Sequence, residues 1–204
     1  MRTIKLAKGV DIPVLGLGTW NLKGNGCVEA VKNAIGIGYR LIDTAEMYGN
    51  HREIALAIKN SGVSRKDIFI TTKVPPFKLW KNIALESAKR YCQELGTDYL
   101  DLLLIHWPNP FIKTEETLDV FEKLQKDGVI RSYGVSNFGI TRLNKGLDEG
   151  YKIVNNQVRF HPSHNDKELK KFCDENKVVV TAYSPISQGK DLRLSKIMNL
   201  AKKY

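Results

Sequence analysis

Apolar positions along the chain alternate between two kinds of run. Strand-like stretches rich in aliphatic and β-branched residues begin near Val14, Leu41, Phe69, Leu100, Ser132, Asn155 and Val178, with helix-spaced stripes between them. Leu102-Leu103-Leu104-Ile105 and Val178-Val179-Val180 are unbroken apolar runs, which predicts strands buried on both faces of a helix-covered parallel sheet. The clearest helix spans 114–127. Thr114 stands as its N-cap, Glu115 and Glu116 occupy the first turn, Leu118, Phe121 and Leu124 follow at helical spacing, and Gly128 stops it. A second helix over 82–95 ends the same way at Gly96. A third near 164–177 places Asp166 and Glu168 early and lysines later, as the helix dipole favours. Residues 2–12, punctuated by Gly9 and Pro13, read as a hairpin ahead of the repeat.

Successive strand starts lie 27, 28, 31, 32, 23 and 23 residues apart, room for one helix per crossover. Seven strand–helix units suit either a doubly wound open sheet or a (β/α)8 barrel. An open nucleotide-binding sheet needs a glycine-rich turn after its first strand. Here Gly16-Leu17-Gly18 lies inside the strand, and Asn21 stands where the third glycine belongs. The expectation is therefore an α/β TIM barrel in one domain, residues 1–204, with an N-terminal hairpin and seven of the eight units.

Composition narrows the function. The 204 residues are 42% hydrophobic and 26% charged, enough for one domain with a substantial core. No run approaches the roughly 18 apolar residues of a membrane span, and Met-Arg-Thr-Ile-Lys does not start a secretory signal. Cys27, Cys92 and Cys173 are far apart on apolar helix stripes, so they read as buried thiols of a cytoplasmic protein. The net charge of +10 comes from scattered lysines, which suits solvated helix faces and a small anionic cofactor rather than nucleic acid. His51, His161 and His164 have no zinc spacing, and no metal is expected.

A barrel enzyme works at the C-terminal ends of its strands. Asp43 follows Leu41-Ile42, with Tyr48 on the next loop; Lys73 follows Thr71-Thr72; His106 and Trp107 follow Leu104-Ile105. Ser136 and Asn137 follow Val135, Gln157 lies in the sixth strand, and Tyr183 and Ser184 end the seventh. A phenol titrates near 10, so Tyr48 needs a neighbouring cation to lower its pKa; Lys73 can supply it, with Asp43 aiming the ammonium. His106 can orient a carbonyl oxygen, Tyr48 can protonate it, and a nicotinamide must supply hydride.

Gly38-Tyr39-Arg40-Leu41-Ile42-Asp43-Thr44-Ala45-Glu46-Met47-Tyr48-Gly49-Asn50 resembles the first signature of the aldo-keto reductase family. Leu95-Gly96-Thr97-Asp98-Tyr99-Leu100-Asp101-Leu102 with Ile105-His106-Trp107-Pro108 resembles its fourth-strand motif, and Gly128 through Phe138 its second signature. Asn156 through Pro162 and Ala182-Tyr183-Ser184-Pro185 extend the likeness to nearly the whole chain. Gln188-Gly189-Lys190 is similar to the prokaryotic members, among them the diketogluconate reductases.

The resemblance implies a monomeric reductase of aldehydes or ketones that uses NADPH, with NAD as the other cofactor. It implies Asp43, Tyr48, Lys73 and His106 as the catalytic tetrad. The cofactor residues would be Thr19, Trp20, Asp43, Ser136, Asn137, Gln157, Tyr183, Ser184, Pro185, Ile186 and Gln188. Tyr183 would stack on the nicotinamide, and Trp20, Tyr48, His106 and Trp107 would line the substrate pocket. The family's eighth strand and helix carry a Pro-Lys-Ser stretch and an arginine for the adenosine 2′-phosphate. Nothing here matches them, so an incomplete barrel is expected, its last apolar stripe being Leu194, Ile197, Met198 and Ala201. Two other readings stand beside this one: a barrel aldolase with Lys73 as Schiff-base nucleophile, and a non-catalytic barrel that binds nucleotide or serves as a scaffold.

Overall fold

In a computed structural model of residues 1–204, seven strands form one parallel sheet that curls with helices outside it. An antiparallel hairpin comes first, β1 (Thr3–Ala7) and β2 (Val10–Pro13), turning at Gly9. The sheet runs in sequence order: β3 (Gly16–Gly18), β4 (Leu41–Asp43), β5 (Phe69–Val74), β6 (Leu102–Ile105), β7 (Tyr133–Ser136), β8 (Asn155–Arg159) and β9 (Val179–Tyr183). A helix follows each: α1 (Gly24–Gly36), α2 (His51–Ser61), α3 (Lys81–Leu95), α4 (Thr114–Lys126), α5 (Ile140–Asp148), α6 (Lys167–Glu175) and α7 (Ser195–Lys203). Each strand pairs only with its sequence neighbours, which leaves β3 and β9 at the two edges. No helix is long and apolar enough to cross a membrane.

Period-2 alternation sorts the strand residues between two cores. Ile42, Ile70, Leu103, Ile105 and Val135 face the helices in the large core. Leu41, Phe69, Leu102 and Leu104 point inward and pack on Leu6, Val10 and Ile12 of the hairpin, which closes the barrel floor. Continuing the inward parity along each strand gives Asp43, Lys73, His106, Ser136, Gln157 and Tyr183. The same alternation that builds an apolar floor thus delivers a polar mouth.

Several expectations change. The first strand is only Gly16–Gly18, and Val14 and Leu15 are exposed, because the hairpin consumes the chain up to Pro13. Thr114 is the first helical residue rather than the cap; Lys113 takes the cap position with no side-chain bond. Asp166 does cap α6, accepting from the Leu169 amide at 2.9 Å. Val178 is buried, but Val179 and Val180 are half-buried, because β9 is an edge strand. Of the expected stripe, Ile197, Met198 and Ala201 lie on α7 and Leu194 is its N-cap, yet no residue of that helix is buried.

Candidate active site

At the mouth, Lys73 is 1% exposed and its Nζ donates to Asp43 Oδ1 at 2.6 Å and to the Thr44 carbonyl at 2.8 Å. Asp43 Oδ2 accepts from Gln157 Nε2 at 2.7 Å, which ties β4 to β8 across the barrel. Thr19, just past β3, donates its hydroxyl and its amide to the Asp43 carbonyl at 2.9 and 3.0 Å. Four strands therefore converge on one carboxylate–ammonium pair.

Tyr48 ends a single 3-10 turn, Glu46–Tyr48, and its ring lies 5.1 Å from Lys73 Nζ. It meets His106 edge-on, with centroids 5.8 Å apart and planes at 78°. Burial, with the Asp43 carboxylate and Tyr183 nearby, pushes the Tyr48 phenol above its usual value. This corrects the expectation of a pKa lowered by Lys73: the ammonium bonds to Asp43 and Thr44, and desolvation of the phenolate dominates. Burial and the Lys73 charge hold His106 down to about 4, so its ring is neutral at pH 7. Its Nδ1 is buried with no partner, a cost normally removed elsewhere in folded proteins and one that singles out functional sites. Burial also pulls the Lys73 ammonium down, against the pull of Asp43.

A second group adjoins this one. Ser136 Oγ donates to the Gln157 carbonyl at 2.8 Å and accepts from Asn137 Nδ2 at 3.0 Å. Asn137 Nδ2 also reaches the His106 carbonyl at 2.9 Å, and Asn137 Oδ1 accepts from the Tyr183 hydroxyl at 3.0 Å. Asn137 and Ser184 both have left-handed backbone (φ 64° and 49°), strain of the kind stored at functional sites. Ser136, Asn137 and Gln157 together offer amide donors and acceptors beside a half-buried tyrosine ring. That chemistry suits a flat carboxamide-bearing heterocycle such as nicotinamide.

The structure brings together Thr19, Asp43, Tyr48, Lys73, His106, Ser136, Asn137, Gln157 and Tyr183. Trp20 and Trp107, 59% and 47% exposed, share the strand ends but no side-chain bond joins them to the cluster. The same holds for Ser184, Pro185, Ile186 and Gln188 on the loop after β9.

Sequence reasoning missed the supports. Asn50 is buried and donates to the Thr19 and Leu22 carbonyls at 2.9 and 3.1 Å, while accepting from Thr44 at 2.7 Å. It locks the exits of β3 and β4 together. Glu46 accepts from Lys78, from Arg90 at 2.6 Å and from the Tyr91 hydroxyl, anchoring the turn that carries Tyr48. A polar residue beside a predicted reactive one was the available signal.

Residues 14–196 match the Aldo/keto reductase family. The chain belongs to that family. It is 42% identical to the glyoxal reductase of Bacillus subtilis, a match over 99% of this chain and 74% of that enzyme. It is 36% identical to the methylglyoxal reductase DkgB of Escherichia coli O157:H7, over 95% of this chain and 74% of that one. Its backbone superposes on an aldo/keto reductase structure from Brucella melitensis with a TM-score of 0.91 at 37% identity, covering 99% of this chain and 78% of that one. Membership makes the fold an aldo-keto reductase barrel and the chain one of a family of oxidoreductases.

Proposed function

We propose that residues 1–204 work as one barrel domain that reduces small aldehydes or ketones with NADPH, Tyr48 serving as the general acid. The observation that carries this reading is the Gln157–Asp43–Lys73 chain with the Tyr48 and His106 rings set against it. The names of the relatives, reductases of glyoxal and methylglyoxal, favour short dicarbonyl compounds as substrates. The Schiff-base alternative is disfavoured because Lys73 Nζ is buried and engaged by two acceptors, leaving no approach for a carbonyl carbon.

A bound reduced nicotinamide would supply the hydride for the carbonyl carbon. Ser136, Asn137 and Gln157 would hold the carboxamide of that group, with Tyr183 beside them to face its ring. Neutral His106 orients the carbonyl oxygen without placing a competing charge beside Lys73. As negative charge develops on that oxygen, the Tyr48 hydroxyl donates its proton. Burial keeps Tyr48 protonated at neutral pH, so its proton is in place to be donated. Lys73, fixed by Asp43 and Thr44, then stabilises the phenolate that remains.

The test is oxidation of NADPH on addition of methylglyoxal, followed at 340 nm. Tyr48→Phe should cut kcat by about 10²–10⁴-fold, the usual contribution of a positioned general acid. Its affinity for NADPH should stay the same. Unchanged kcat in that variant would end the role given to Tyr48, and equal turnover with NADH would end the NADPH preference.

A further inference from the structure

After Val178, Asp191 is the only buried residue in the chain, at 3% exposure. It lies in the 3-10 segment Ser187–Arg193, on the loop that joins β9 to α7. Its Oδ2 accepts from His161 Nδ1 at 2.8 Å and from the Ser163 amide at 3.0 Å, and its Oδ1 accepts from the Ser163 hydroxyl at 2.6 Å. The Ser163 bonds, with His161 assisting, hold the carboxyl below its ordinary range. His161 and His164 exchange backbone bonds at 2.9 Å each, which makes their turn a firm partner.

Serine, histidine and aspartate in contact suggest a nucleophile, but the geometry is wrong for one. Ser163 gives its proton to Asp191, and the His161 nitrogen nearest the serine, 3.2 Å away, faces the same carboxylate. No base is left to activate the hydroxyl. What the cluster does is mechanical: it joins the loop leaving β8 to the loop leaving β9, and both lie at the barrel mouth.

The β9 loop has little else to hold it. Pro185, Ile186, Gln188, Lys190 and Leu192 are exposed. Ser184, Ser187 and Gln188 have left-handed backbone (φ 49°, 51° and 53°), which non-glycine residues keep only where surroundings enforce it. The loop starts one residue after Tyr183, whose hydroxyl bonds to Asn137 in the cluster assigned to the carboxamide.

We propose that Asp191 is a positioning residue, clasped by Ser163 and His161, that holds the 184–194 loop at the mouth and sets how long the nicotinamide nucleotide stays bound. This rests on the cofactor reading above. The clasp is built from charge-assisted hydrogen bonds, which are shorter and stronger than neutral ones.

The experiment uses the full chain and the variants Asp191→Asn, Ser163→Ala and Asp191→Glu. NADPH dissociation is followed by stopped-flow nucleotide fluorescence, and loop release by tryptic cleavage after Lys190 and Arg193. Asp191→Asn and Ser163→Ala should each speed NADPH release by about ten- to a hundredfold and raise KM for NADPH. KM for methylglyoxal should not change, and circular dichroism should stay native. Cleavage in the loop should be faster, and Asp191→Glu should recover part of both effects.

Faster cleavage with a release rate within about twofold of wild type would overturn the proposal, since the loop would then be clasped without governing the nucleotide. Unchanged cleavage would overturn the clasp itself. Absence of NADPH binding by the wild-type chain would overturn the cofactor reading and the proposed role with it, while the protease result would still report on the clasp.

Discussion

The His106 imidazole, held to about 4 by burial and by Lys73, fixes how the site responds to acid. In an unfolded chain the same ring titrates near 6.5. Between those two values the unfolded protein binds a proton that the folded protein does not, so stability falls as pH drops through this window and is level above it. His51 adds to the effect, because burial between Thr72 and Glu94 lowers its pKa too. Urea midpoints at pH 7.5 and pH 5 should therefore differ, and His106→Gln should lose part of that difference while His51 retains the rest. An equal drop in both proteins would show that His106 takes no part. Activity should follow the same ring, with the acid limb of kcat/KM centred near 4 instead of near 6.5.

Among the elements, β7 shows how tightly the barrel interior is built. Gly134 faces inward at a register where it pairs with Leu104, and a Cβ there would lie 2.4 Å from the Asn155 carbonyl oxygen and 3.0 Å from Leu104 Cδ2. The nearest atom is backbone, so it cannot step aside as a side chain would. Gly134→Ala should cost about 1–3 kcal/mol or more by overpacking, read as a lower denaturation midpoint. Because β7 carries Ser136 one strand-step on, the variant should also bind NADPH more weakly; a wild-type midpoint would contradict the crowding. Elements of this kind were largely legible in the sequence. Apolar runs at one-helix spacing located β4 to β9, and Gly96 and Gly128 ended α3 and α4 as expected, with positive φ at both. The polar residues gathered at the mouth were legible for the same reason, since one inward parity links Leu41 to Asp43 and Phe69 to Lys73. Three things were hidden. The N-cap of α4 carries no side-chain bond that composition could reveal. The state of Tyr48 depends on burial and on what occupies the Lys73 protons, which no strand pattern encodes. Apart from the local Thr44–Asn50 bond, Asn50, Glu46 and Asp191 act through partners 28 to 45 residues away, in contacts that exist only once the barrel closes around them.

Across the whole molecule, burial is graded along the chain. The large core draws on α1 to α6 and on β4 to β8, and Tyr91, Tyr133, Phe121 and Phe138 are among its most enclosed side chains. The floor is pinned separately: Asp101 is buried, accepts from Arg65 at 2.9 Å and the Ile70 amide at 2.9 Å, and meets Arg131, which also holds the Gly9 carbonyl of the hairpin at 3.0 Å. Beyond Val178 these supports stop. β9 is half-buried on an open edge, and α7 presents Met198 and Leu200 to solvent without one buried residue, Leu194 being exposed at its cap. A nine-residue helix is too short to persist in water on its own propensity, because nucleation is costly and only packing repays it. Native-state hydrogen exchange should therefore resolve two regimes. Amides of β5, β6 and β7 should exchange only through global unfolding, whereas those of residues 197–203 should exchange by local opening, at rates insensitive to low urea. Bound NADPH should slow exchange at residues 187–193 through the Asp191 clasp and leave α7 as it was. Protection of α7 equal to that of β6 would refute this gradient, and would mean that the exposed apolar face of the helix is covered in solution.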